Sequence, residues 1–412
     1  MAVLKLDEEG GKEAARMRKP AKNGKTVGLY IHIPFCRSKC EYCDFYSLGG
    51  SRDRTLMDQY LQALCLHLRE SAGRAQQYEV DSIYFGGGTP TFFGADGLKR
   101  ILAEIYKRYD VTRNAEISLE ANPDSVTAKD LAALHHAGFN RISLGVQSDQ
   151  DEFLKALGRP HTYAQAVQAV SAAREAGFDN VSVDLMYGLP NQTKEQWMQT
   201  LHTVTSLKPE HISCYGLKVE PGTPLYDYKD CANLPDDDMQ ADMYLYTVEM
   251  LEGFGYSQYE ISNFAKEGFE CFHNLKYWLG DEYLGFGPSA SSDFAGKRFT
   301  CAPDIHTYID GVLHGGVVLS ECDATPLRER AGEYLMLRLR TSVGIEEEEY
   351  VKAFLLSFRP LERLLQKLAG QGMAVYTDGR WRLTAKGFLL SNQIIGALLD
   401  AQQTASSLGK RI

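Results

Sequence analysis

Tyr30-Ile-His-Ile-Pro-Phe-Cys36-Arg-Ser-Lys-Cys40-Glu-Tyr-Cys43 places three thiols within eight residues, directly after an apolar run that reads as a strand. The spacing is CxxxCxxC, short enough for one loop to fold all three around a single centre. A structural zinc site takes four protein ligands, commonly as two separated pairs, whereas three thiolates with no fourth nearby leave a coordination position vacant. On a cubane cluster that vacancy is one open iron. Ferredoxin-type clusters use four cysteines, so the missing ligand points to a small molecule that completes the shell. The competing reading, three buried thiols without metal, gives no reason for this spacing in a loop.

Working outward, short β-branched or apolar runs alternate with stretches of helical periodicity, the mark of repeated βα units and a parallel sheet. The predicted strands are Val27 to Ile33, Val80 to Phe85, Glu116 to Glu120, Arg141 to Val146, Val181 to Met186 and His211 to Leu217. Two intervening helices end alike, at Ala137-Gly138-Phe139 and Ala176-Gly177-Phe178, where glycine supplies a left-handed C-cap just before the next strand. Six units are too few to close an eight-stranded barrel. The expected class is therefore α/β, a partial (β/α)6 TIM-like barrel with functional groups at the carboxyl ends of its strands. Residues 1–26 read as a loosely ordered arm, 27–300 as the barrel, and 320–412 as a smaller α+β, winged-helix-like module. In that module, helices rich in Leu and Arg precede two short strands around Thr377-Asp378-Gly379. Asp236 to Gly255 predicts a helix and Tyr256 to Phe264 a strand, and a Gly-rich stretch runs from Gly280 to Gly296 before the C-terminal module.

With 412 residues the chain exceeds the size at which one core stops growing, so two domains are expected. Nine cysteines, an odd number, with no export signal, argue for reduced thiols in the cytoplasm rather than a disulfide framework. No apolar run approaches the roughly 18 residues of a membrane span, so no transmembrane segment is expected. A formal charge of −10 disfavours a protein whose main task is neutralising phosphates along nucleic acid. Small-molecule or protein partners fit better.

The second strand runs into Gly86-Gly87-Gly88-Thr89-Pro90. Alone this is as easily a tight turn, but it lacks the GK[ST] ending of a phosphate loop and the GxGxxG of a dinucleotide site. Together with the cysteines it resembles the radical-SAM superfamily. That resemblance implies a 4Fe-4S cluster on Cys36, Cys40 and Cys43 with S-adenosylmethionine (SAM) chelating the open iron, and electron transfer that releases a 5′-deoxyadenosyl radical. From Leu29 to about Ser292, and on into the C-terminal module, the chain is similar to the oxygen-independent coproporphyrinogen III oxidase group. Matched to that group's motifs, the implied SAM contacts are Tyr30, Tyr42, Gly87, Gly88, Thr89, Glu120, Gln147, Arg159 and Asp184. Their chemistry suits the ligand: Arg159 can pair with a carboxylate, Glu120 or Asp184 can accept from amino or ribose groups, and Gln147 can do either. Read singly, Arg159 is as readily a surface ion pair and Glu120 a helix-capping acid.

The oxidases resemble one another in a further cysteine two positions after the third, and here Phe45 stands there. The chain is similar instead to the heme chaperone branch, the HemW family, through His273-Asn274-Leu275-Lys276-Tyr277-Trp278, which matches that branch's HNxxYW motif. The resemblance implies heme as cargo, passed to recipient heme apoproteins that include membrane-associated ones. The electron donor is not legible. His273 is either an axial heme ligand or a hydrogen-bonded core histidine, with Cys271 a weaker ligand candidate. Oxidative decarboxylation of coproporphyrinogen is the alternative activity, and an RNA-modifying enzyme that reads RNA through its C-terminal module is a third. Gly285 to Ala290 fits GxGxxA only superficially and reads as a structural turn. Cys65 and Cys214 read as core, while Cys231, Cys301 and Cys322 carry no assigned role.

Overall fold

The structure, a computed structural model, describes residues 24–50, 52–231, 233–316 and 318–403. The predicted N-terminal arm therefore lies almost wholly outside the described residues. Six parallel strands follow: β1 (Thr26–Ile33), β2 (Glu79–Gly87), β3 (Asp110–Ala121), β4 (Arg141–Gln147), β5 (Asn180–Tyr187) and β6 (His211–Gly216). They form because their residues are apolar or small on both faces. All seven residues of β4 are buried, as a sheet covered by helices on one face and packed inward on the other requires. The connecting helices are α1 (Arg54–Ser71), α2 (Ala95–Arg108), α3 (Ala128–Ala137), α4 (Tyr163–Glu175) and α5 (Lys194–Thr205). The repeated helix ending works as read: Gly138 and Gly177 hold φ of 118° and 100°, and Phe139 and Phe178 donate back to Leu134 O and Ala173 O at 3.2 and 3.1 Å.

The remaining chain enlarges the sheet to twelve strands and leaves it open. Past β6, α6 (Asp237–Gly253) is capped by Asp236, whose side chain accepts from Met239 N. Two short strands, β7 (Ser257–Gln258) and β8 (Asn263–Ala265), replace the single strand expected over 256–264, and β8 runs antiparallel beside β6. Next comes α7 (Phe272–Leu279), which carries the HNxxYW motif. The Gly-rich segment, to which the sequence reading assigns no element, contains two strands. It holds β9 (Tyr283–Phe286), parallel to β1 on the side away from β2, and β10 (Ser291–Phe294), and β11 (Lys297–Cys301) and β12 (Leu319–Ala324) extend that edge. The turn read over Gly285 to Ala290 joins β9 to β10, with Ala290 N donating to Gly287 O at 3.2 Å, while Gly285 itself sits inside β9, where a Cβ would overlap Ser291 O, so that glycine marks a close backbone approach.

After α8 (Ile305–His314), the C-terminal part comprises α9 (Leu327–Arg338), α10 (Glu347–Phe354), α11 (Arg359–Gly370), β13 (Ala374–Thr377), β14 (Arg380–Leu383) and α12 (Ser391–Gln403). It surrounds its own apolar cluster, which includes Leu335, Tyr350, Phe358, Leu361 and Leu398 and reaches Tyr244 of α6. Among the described residues no helix is long and apolar enough to cross a membrane.

Gly285→Ala should destabilise the chain by about 1–3 kcal/mol, the usual cost of forcing atoms into a filled space. Gly253→Ala, at a helical position with nothing within 4 Å of the new Cβ, should be neutral or slightly stabilising. Thermal melts followed by circular dichroism would separate the two; equal midpoints would refute this account of β9.

Candidate functional site

The cysteine loop leaves β1 and is closed by a two-residue parallel pairing of Phe35–Cys36 with Leu48–Gly49. Backbone bonds fix its interior: Cys43 N donates to Cys40 O at 3.2 Å, Glu41 N to Leu157 O at 3.2 Å, and Leu225 N to Glu41 O at 2.9 Å. Tyr42 packs on a small apolar cluster that includes Leu157, Leu189 and Leu217. The glycine motif zips against this loop, with Gly88 N donating to Ile33 O at 2.9 Å and Thr89 N to Phe35 O at 2.8 Å. A Cβ on Gly88 would stand 2.8 Å from Phe35 O and 3.0 Å from Cys36 Sγ, so only glycine lets the two segments meet.

Arg159 ties the loop to the strand ends. Its Nη1 lies 3.4 Å from Cys40 Sγ, and its Nη2 donates to Asn122 Oδ1 at 2.6 Å and Gly145 O at 2.9 Å. Asn122 Nδ2 in turn donates to Thr89 Oγ1 at 3.1 Å, and Thr89 Oγ1 lies 3.4 Å from Cys36 Sγ. The Arg159 Nε is buried without a partner. Burial pushes the Cys36 and Cys43 thiols up, so a metal centre entering the loop must displace their protons.

Below the loop, side chains of successive strands line one lumen. Glu120 accepts from Tyr84 OH at 2.7 Å and from Gly87 N at 3.2 Å. Removal from water, reinforced by the nearby Asp184 carboxylate, raises Glu120 to about 7. Burial raises Asp184 as well, although Ser143 Oγ donates to its two oxygens at 3.0 and 3.1 Å. Gln147 ends β4 with φ of 65°, and its amide, Arg159 and Asn122 all crowd the face of Gly145. Tyr30 stands one layer deeper: its hydroxyl is bonded to His32 Nδ1 at 3.0 Å, while His32 Nε2 meets Tyr46 O at 3.0 Å. Burial lowers His32 to about 4, so it is neutral, and its ring fills the space where a Cβ on Gly87 would be.

The structure thus brings the three cysteines, Tyr42, Gly87, Gly88, Thr89, Glu120, Gln147, Arg159 and Asp184 to one end of the sheet. The sequence reading missed Asn122, Ser143, Tyr84 and His32. Asn122 was findable, since it lies just beyond β3 as Arg159 lies beyond β4; the other three are ordinary strand residues, Tyr84 and Ser143 with partners on neighbouring strands and His32 with partners on its own strand and in the cysteine loop.

The motif helix α7 lies across the opposite side of the lumen, fixed by a buried carboxylate. Glu116 of β3 accepts from Phe272 N at 2.9 Å and His273 N at 3.0 Å, satisfying amides at the helix start. Buried Lys276 pairs with Asp81 at 3.0 Å. His273 itself is fully buried, with Nδ1 bonded to Ser82 Oγ and Nε2 to Tyr277 OH, both at 2.8 Å. Burial lowers it to about 3. Of the two readings of His273, this geometry is that of the hydrogen-bonded core histidine; reaching an iron would mean giving up Ser82 or Tyr277. Cys271 is also fully buried, against Glu116, with its thiol pushed up to about 12. Rings step outward from the lumen: Tyr30 stacks on Tyr84, Tyr84 on His273, and Tyr277 meets His273 edge-on at 5.1 Å. They end at a cleft of about 470 Å³ lined by Tyr215, Glu260, Asn263, Asn274, Tyr277 and Trp278, with Leu337 of the C-terminal part on its far wall.

Comparisons with known proteins agree with this layout. The model of the radical SAM superfamily matches residues 30–204, and that of the HemN C-terminal domain matches 326–390. Heme chaperone HemW of Bacillus subtilis (strain 168) is 36% identical over 376 residues, 90% of this chain and 98% of the relative. The chain belongs to the HemW family. HemW of Escherichia coli (strain K12) is 34% identical, with 90% of this chain and 98% of the relative covered. Among solved structures, coproporphyrinogen III oxidase (HemN) from Escherichia coli, described as a radical SAM enzyme, superposes with a TM-score of 0.80 at 26% identity, covering 93% of this chain and 91% of that one.

The residues of this HemW-family chain fit the cluster and SAM that a radical-SAM scaffold implies. Among the described residues no three His, Cys, Asp or Glu side chains converge tightly enough for a single metal ion. A cubane asks for something different, since it takes each thiolate on a separate iron. Gly88 brings its backbone against Cys36 with no side chain between them, and the unpartnered Arg159 Nε offers a donor to an anionic group. When bound, the cluster would supply one electron to the SAM sulfonium.

Glu120 gives a pH signature in the cluster-free chain. Its folded value of about 7 exceeds the ordinary 4.5, so the folded state binds the extra proton, and stability should fall as pH rises from about 4.5 to about 7. Glu120→Gln should remove that part of the decline. Identical pH dependence of the melting temperature in wild type and variant would contradict the assignment.

Proposed function

We propose that this chain is a heme chaperone that binds heme in the cleft beside α7 and passes it to recipient apoproteins, on a scaffold that holds a 4Fe-4S cluster through Cys36, Cys40 and Cys43 with SAM against Tyr42, Gly87 to Thr89, Glu120, Gln147, Arg159 and Asp184. The observation that carries it is the cleft: two aromatic rings of the HNxxYW motif, Tyr277 and Trp278, line a space of about 470 Å³, within the range of small-molecule and cofactor sites. Aromatic faces suit a flat macrocycle. His273 acts here as a positioning residue, since its Nε2 fixes the Tyr277 hydroxyl and its ring stacks on Tyr84.

Coproporphyrinogen decarboxylation is the second reading, favoured by the scaffold shared with HemN. Against it stands Phe45, whose ring is 65% exposed at the position of the oxidases' further cysteine. For the RNA-reader alternative, a free basic face on the C-terminal part would be needed. Three of its arginines are taken up in ion pairs, Arg330 with Asp293, Arg338 with Glu349, and Arg380 with Glu346 and Glu349, and the whole chain carries a formal charge of −10.

Anaerobically reconstituted protein titrated with hemin should give a stable Soret-absorbing complex and should not convert coproporphyrinogen when supplied with SAM and a reductant. Trp278→Ala should weaken hemin binding roughly three- to tenfold, the loss of one aromatic contact of about 0.5–1.5 kcal/mol. Turnover to protoporphyrinogen, or no hemin complex in any cluster state, would reverse the assignment.

A further inference from the structure

The floor of the cleft carries two buried side-chain oxygens that the fold itself leaves without a partner. Glu260, in the turn between β7 and β8, and Asn263, which opens β8, are 1% and 5% exposed. Glu260 Oε1 and Asn263 Oδ1 are buried without a hydrogen-bond partner, although both residues line the cleft. An unsatisfied buried acceptor costs on the order of 1–3 kcal/mol, and two in one cavity are rarely kept without a ligand to meet them. The turn is not slack. Glu260 pairs through its backbone with Thr341 of the C-terminal part, Tyr259 N donates to Asn263 O at 3.1 Å, and backbone amides of the turn together with the Asn263 side chain also bond the carboxylate of Glu260.

We propose that Glu260 and Asn263 form a carboxyl-binding subsite that takes one propionic acid side chain of the porphyrin through a hydrogen-bonded carboxyl pair, while the ring lies against Tyr277 and Trp278. The proposal rests on the heme reading, because the two propionates are the polar groups on the periphery of heme. A carboxyl pair needs one proton between its partners. Desolvation raises Glu260 to about 7 and so keeps that proton available near neutrality. The surroundings leave it unopposed by a cation. Tyr215 from β6, Tyr244 from α6 and the adjacent Tyr259 are the phenols in its field. The nearby bases are turned elsewhere: Lys276 of α7 to Asp81, and Arg338 of α9 to Glu349 and Leu279 O. Tyr215 also feels Asp184 and Glu120, so the subsite and the SAM-side carboxylates share one phenol's surroundings.

The experiment is a titration of full-length reconstituted protein with hemin and with hemin dimethyl ester, in which both carboxyls are blocked, at pH 6 and pH 8. Wild type should prefer hemin about tenfold, equivalent to about 1.4 kcal/mol, at pH 6 and lose most of that preference at pH 8. Glu260→Gln, which keeps the shape and a neutral donor, should retain the preference at both pH values; Glu260→Ala should abolish it. Wild type binding hemin and its ester equally at pH 6 overturns the subsite while leaving heme binding intact, and needs no variant to fold. An Ala variant that folds and discriminates as wild type does overturns it too. If wild type binds neither compound, the heme reading fails and this inference fails with it.

Discussion

One buried carboxylate joins the two halves of the site. Glu116 projects from the middle strand of the parallel sheet and accepts from the first amides of α7, close to the buried Arg141 guanidinium. A helix start buried against a sheet needs such a partner, because its amides have no acceptor within the helix. Through this contact the sheet sets the height and rotation of α7, and α7 sets where Tyr277 and Trp278 stand. The C-terminal part then packs α9 against α7, which encloses the cleft. Replacing Glu116 would leave two amides unmet and remove a negative charge from the field of Arg141 at once, so its effect would not divide into separate contacts.

The lumen between cluster loop and cleft is built from titratable groups whose charged forms burial disfavours. Glu120 and Asp184 are raised by desolvation, while His32 and His273 are lowered by it. The opposite directions share one cause, the cost of charge away from solvent. Arg159 is the cation that reaches the cysteine side, where thiolates and anions are expected. This separation explains why the strand ends can host a polar ligand while α7 presents mainly aromatic surface.

Much of this was legible in the sequence, for physical reasons. Continuous apolar runs announced the six parallel strands, and the repeated Ala-Gly-Phe endings announced two helix stops that the left-handed glycines Gly138 and Gly177 carry out. The cysteine spacing survives any fold, because three thiols within eight residues share a loop whatever surrounds them. What escaped depends on distance along the chain. Ser82 and His273 are 191 positions apart, so nothing local could say that the histidine's nitrogens are occupied. β9 and β10 hid in a Gly-rich segment because each has four residues and Gly285 is required by a neighbour's backbone, a demand that looks like a turn signal. Glu260 and Asn263 gave no sign at all, since an acceptor without a partner is defined by what the folded surroundings fail to provide.

The placement of β1 between β2 and β9 also has a meaning in time. Gly28 pairs with Tyr283, so one edge of the first strand waits for a partner about 255 residues downstream, the difference of those positions. At ribosomal speeds of about 5–20 residues per second, that edge stays unpaired for roughly 13–50 s after the strand emerges. An open apolar edge is a template for intermolecular pairing, and the same interval leaves the cysteine loop without its finished surroundings. The arrangement that gathers every strand end at one site therefore leaves an edge of the nascent first strand open to aggregation, and its cysteine loop open to oxidation, until about two-thirds of the chain has been made.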